Sequence, residues 1–202
     1  MDPRTLYLAG AMLFALSTPA SATMIILHAI DHDDRVHCYT PDDQGYANPA
    51  TQTVTSVTAD SDIDVFVYLT GYEQAEGAGF HFVWPADWTY YGWSGDCLGR
   101  QATITDFTGN TIHIATVFDA VTGGGLAPLG FASFTTGDGG EAKLQGTRYC
   151  ASGGICYLSH SIEYTIEPGM TGRVAVGGSG YNPAAPTPVE VSTWGSIKAR
   201  YR

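Results

Sequence analysis

Between His28 and His37 six side chains with metal-ligating groups crowd together: His28, Asp31, His32, Asp33, Asp34 and His37. Imidazole and carboxylate together ligate zinc, so this is the densest candidate metal site in the chain. No H-x-x-x-H spacing on a helix fixes its geometry, however, and a polar loop leaving the first strand accounts for the same composition. A second set, Asp60, Asp62 and Asp64, alternates in sequence. On an extended chain all three carboxylates would point to one side, about 7 Å apart. Calcium could be held there with a loop carbonyl from elsewhere. An EF-hand is excluded, because Val65 stands where its glycine belongs and Gly71 where its glutamate belongs. Charge that protects a strand edge explains the same three residues.

The run from Trp84 to Trp93 concentrates aromatic rings whose exposed faces would stack on flat ligands, sugars among them. Trp88, Tyr90, Tyr91 and Trp93 are its candidate ligand-binding residues. They are expected on an exposed loop, since Pro85 and Gly92 bracket the segment and proline cannot donate to a ladder. Packing anchors are the plainer use of such rings. A nucleophile elbow, a Walker loop, a zincin helix and a Rossmann turn are all missing, and Gly92-Trp93-Ser94-Gly95-Asp96 lacks the last glycine of G-x-S-x-G. The reading is therefore non-enzymatic, and His81 and His113 are polar members of an outward face.

These residues must be held by something, and composition says by strands. The chain has 25 glycines and 12 tyrosines, and only 14% of its residues are charged. That suits short strands and turns better than helices. Phe80/Phe82/Trp84 and Ile112/Ile114 keep a period of two, and strand-like runs recur at 24–30, 53–58, 63–69, 78–84, 102–106, 111–118, 127–135, 157–166 and 172–176. Residues 106–110 and 137–140 carry the glycine and asparagine of hairpin turns.

Residues 1–22 read as a secretory signal, with Arg4, an apolar run from Leu6 to Leu16 and Ala20-Ser21-Ala22 as the cleavage site. Eleven apolar residues are too few for a membrane span. Export predicts an oxidised product found outside the cell, on its surface or in the periplasm. Cys150 and Cys156 flank a short Gly-rich turn that a disulfide could close, which leaves Cys38 to Cys97. The net charge is −11, with 18 acidic and 5 basic side chains in residues 23–188. Such a body repels phosphate backbones, which argues against nucleic acid as a partner.

The domain is expected over residues 23–178, and residues 179–188 read as a Pro/Gly-rich linker. Residues 189–202 carry Glu190 against Lys198, Arg200 and Arg202. Trp194, Ile197 and Tyr201 share one face of a short amphipathic helix there, a basic sorting or docking tail.

One block resembles the cohesin and carbohydrate-binding-module sandwich. Ile63–Leu69 is followed by the glycine-led aromatic strand Gly79-Phe80-His81-Phe82-Val83-Trp84, then Gly109-Asn110-Thr111-Ile112, then Leu129-Gly130-Phe131-Ala132-Ser133-Phe134. The resemblance covers residues 60–145 and implies an antiparallel all-β sandwich of jelly-roll or Ig-like kind. The ends, Ile26-Leu27-His28 and Pro188 to Arg202, resemble those of a group of secreted bacterial proteins, which implies no activity. The expected function is a non-catalytic protein for adhesion, scaffolding or envelope structure, with an envelope or surface protein or a polysaccharide as partner. A carbohydrate-binding module using the aromatic segment is the alternative.

Overall fold

The computed structural model describes residues 22–34, 53–95, 97–98, 102–123, 125–178 and 180–184. Alternating burial organises it into twelve strands: β1 (Met24–Asp31), β2 (Ser56–Val57), β3 (Asp62–Thr70), β4 (Gln74–Val83), β5 (Thr89–Ser94), β6 (Ala102–Phe107), β7 (Thr111–Thr122), β8 (Ala127–Thr135), β9 (Glu141–Gln145), β10 (Ile155–Ser159), β11 (Ile162–Ile166) and β12 (Arg173–Val176). The first sheet is antiparallel, in the order β1-β3-β8-β5. The second runs β11-β10-β4-β9-β12-β2, and β7 followed by β6 extends it from the other side of β4. Only short 3-10 turns at His32–Asp34 and Pro168–Met170 interrupt the β structure of the described residues.

The inner faces meet in one core. Ile63, Val65, Val67 and Leu69 of β3 face Phe80 and Phe82 of β4 and Ile112 and Ile114 of β7, every one of them buried. Each such side chain contributes roughly 1.5–3 kcal/mol by leaving water. A smaller cluster of Ile26, Phe66, Tyr68 and Phe131 lies on the far face of the first sheet, with Phe66 stacked on Phe131 at 4.9 Å. None of the described residues belongs to a helix long and apolar enough to cross a membrane.

The architecture is the expected all-β sandwich, and four local expectations are corrected. Residues 89–94 are not loop: they form β5, hydrogen-bonded to β8, and Pro85 stands before the ladder rather than in it. Residues 141–145 form a strand where none was expected. The run 157–166 is two strands, β10 and β11, turned by His160 and Ser161 at φ of 50° and 61°. Finally, residues 180–184 are no free linker. Tyr181 exchanges backbone hydrogen bonds with Arg173 of β12 at 2.8 and 2.9 Å, and its hydroxyl donates to the Gly169 carbonyl. The signal segment before residue 22 and the helical tail with Trp194, Ile197, Lys198, Arg200 and Tyr201 lie outside the described residues.

Candidate functional site

Two surfaces merit description, one on the outer face of each sheet. On the first sheet, Asp62 and Asp64 of β3 stand opposite Thr135 and Ser133 of β8, so four polar side chains share that face beside the Phe66/Phe131 cluster. Asp64 is fully buried and accepts a hydrogen bond from Ser133 Oγ, while His32 Nδ1 lies 3.2 Å from its Oδ2. Asp62 accepts from Thr135 Oγ1, and the Tyr91 hydroxyl meets the same Thr135 oxygen at 2.7 Å. His32, Asp62, Tyr91, Ser133 and Phe131 line a surface pocket of about 520 Å³. The order of contacts decides its chemistry. Ser133 and His32 both attach to the carboxylate, and no hydrogen bond links serine to histidine as nucleophilic activation requires. Asp64 fixes two neighbours, and the pocket beside them combines the polar side chains of His32, Asp62 and Ser133 with the rings of Tyr91, Trp93, Phe131 and Phe134.

The sequence-predicted aromatic platform divides. Trp88 is buried, donates Nε1–H to the Gly139 carbonyl at 3.0 Å and packs edge-on against Phe134. Tyr90 stacks on Trp84 with ring centroids 4.7 Å apart, and burial pushes its hydroxyl pKa up to about 12. Trp93 meets Phe80 edge to face. Only Tyr91, 65% exposed, points outward. Of the four rings three are inward anchors and one is outward, because β5 obeys strand alternation with a bulge between Tyr90 and Gly92.

The proposed metal ligands do not converge among the described residues, where no group of three or more His, Cys, Asp or Glu side chains could hold an ion. His28 accepts the Val54 amide at 2.9 Å through Nδ1. The Asp31 carboxylate accepts the Asp33 amide, and Asp60 sits in a turn at φ 53° rather than on the face of Asp62 and Asp64. His37 lies outside the described residues. Of the disulfides, Cys150–Cys156 is formed, with Cα atoms 5.9 Å apart. Cys97 packs beside the Phe66 cluster, and Cys38 lies outside the described residues.

The second surface was missed by sequence reasoning. Gly77 of β4 pairs with Val117 of β7 on one side and Leu158 of β10 on the other. A Cβ at Gly77 would stand 3.1 Å from Leu158 and 3.4 Å from Val117, so both side chains lean over the gap it leaves. Ala102 of β6 pairs with Val117, which puts Ile104 on the same outer face. The result is an apolar ridge in which Ile104 is 62% and Val117 50% exposed. To one side of it Gln145, His81, His113 and Asp106 form a polar row across the sheet, with Arg148 ion-paired to Asp106. Outward β-branched residues on β6 and β7 were the available signal, hidden because either parity of those strands carries apolar residues.

No family model matches the chain, and no curated protein does. Among solved structures it is similar to a cohesin module from a family 33 glycoside hydrolase of Clostridium perfringens, at 8% identity over 77% of this chain and 96% of that one, with a TM-score of 0.49. It is also similar to a type II cohesin domain from the cellulosome of Acetivibrio cellulolyticus, at 6% identity over 77% and 95%, TM-score 0.47. A third is the second type II cohesin module of the adaptor ScaA scaffoldin from the same organism, at 7% over 71% and 90%, TM-score 0.46. At these values no residue role passes from them to this chain.

Proposed function

We propose that the protein is a secreted or surface-held, non-catalytic module that docks another envelope or surface protein through the outer face of its second sheet. The observation that carries this reading is the ridge of Leu158, Val117 and Ile104. Single exposed apolar residues are ordinary, but neighbouring ones that cross several strands cost solvation unless a partner covers them. Beside them β6 pairs, among the described residues, with β7 alone, so it offers an edge for strand addition. The disulfide supports an oxidising compartment. The test is capture from a native envelope extract by the mature chain and by the Ile104→Asp/Val117→Asp variant. Loss of two centrally placed contacts weakens binding about 30-fold, the ~2 kcal/mol of a hot spot. Equal capture by both proteins contradicts the reading.

One observation favours a second reading. Tyr91 offers an exposed ring beside His32 and Asp62 in the 520 Å³ pocket, a single stacking face with polar neighbours. If a glycan occupies it, Tyr91→Ala abolishes a signal on a glycan array that the ridge variant retains.

A further inference from the structure

His81 and His113 stand directly opposite each other across the β4/β7 ladder, at the centre of the outer face of the second sheet. Opposed positions bring Cβ atoms within about 5 Å, which gives two side chains a common space above the sheet. Here the rings are nearly perpendicular, and Nε2 of His81 faces Nδ1 of His113. Their row continues across the sheet: Gln145 of β9 pairs with His81, and Asp106 of β6 pairs with His113. Thr147 Oγ1 lies 3.4 Å from His113 Nδ1, the Tyr149 ring meets His113 edge-on, and Arg148 is ion-paired to Asp106.

We propose that this cross-strand histidine pair binds a divalent transition metal of borderline softness, zinc or copper(II), through the two facing nitrogens, with water in the remaining positions. Two nitrogens of neutral imidazole suit such ions, whereas calcium and magnesium select oxygen. Both rings are half-buried, so an ion has access from solvent while β4 and β7 hold the ligands. With bonds of about 2.0 Å in tetrahedral geometry the nitrogens stand about 3.3 Å apart, so taking up the ion requires both rings to turn apart about their side-chain torsions. The site stands independently of the docking reading.

The test uses the mature chain without a polyhistidine tag, titrated with zinc by calorimetry and with copper(II) by electron paramagnetic resonance. The expected copper spectrum carries hyperfine splitting from two equivalent-class nitrogens. His81→Ala and His113→Ala each raise the dissociation constant by at least about tenfold, the loss that even an outer partner of a ligand can cause. His32→Ala and His160→Ala leave it unchanged. His81→Gln and His113→Asn, which keep a polar group of similar length, replace either alanine variant that fails to fold. Absence of stoichiometric binding, equal affinity in the histidine variants, or loss on His32→Ala overturns the proposal.

Discussion

His28 shows how one buried side chain ties fold to pH. It is 4% exposed, and its Nδ1 accepts the Val54 amide, so a proton there would set donor against donor. Burial lowers its pKa from 6.5 to about 4. The unfolded chain therefore takes up the proton first. Stability is full above about pH 6.5 and falls as pH drops toward 4, by about 3 kcal/mol from this residue. For a chain of this size that lowers the melting midpoint by on the order of 10 °C. His28→Asn places an amide oxygen where Nδ1 accepts, and thermal melts between pH 7 and pH 4 should show that much less acid loss. Identical acid slopes in the two proteins would remove His28 from the account. The sequence placed His28 in a polar cluster but could not show its partner, because Val54 lies 26 residues away and contributes only its backbone.

At the scale of elements, hydrophobic alternation made most strands legible. β3, β4, β7 and β8 each have a large inward set, and tertiary packing left that pattern intact. β5 escaped because Thr89 to Ser94 alternates weakly and contains a glycine, and its identity comes from pairing with β8. The turn between β10 and β11 escaped too, since His160 and Ser161 adopt positive φ where asparagine and glycine are the usual signals. The hairpin at Gly109 was readable for the opposite reason, with φ of 57° at a glycine. Gly130 is held by conformation and by space together. Gly130, at φ 145° beside the β3/β8 bulge, lies against the Trp93 ring and the Ser94 carbonyl, and a Cβ would collide with both. Gly130→Ala should cost roughly 2–4 kcal/mol from backbone strain and overpacking together, read as a lower urea midpoint at unchanged m. A cost below about 0.5 kcal/mol, the level of an ordinary surface change, would mean that the bulge tolerates a side chain.

For the whole molecule, the two sheets use their outer faces differently. The first covers its apolar residues with a local cluster and leaves a polar pocket. The second leaves Ile104 and Val117 in water around a small-residue floor. The sequence named four candidate binding residues in the aromatic segment, and only Tyr91 among them faces outward. The ridge was invisible because it is assembled from β6, β7 and β10, with Gly77 as the gap between them. The measurement that bears most directly on the docking account is hydrogen–deuterium exchange of residues 23–202 with and without a protein captured from the envelope extract. The account predicts slowed exchange at amides of β6 and β7 around Ile104 and Val117, with β5 unchanged. Protection confined to β5 and the Tyr91 pocket would contradict it.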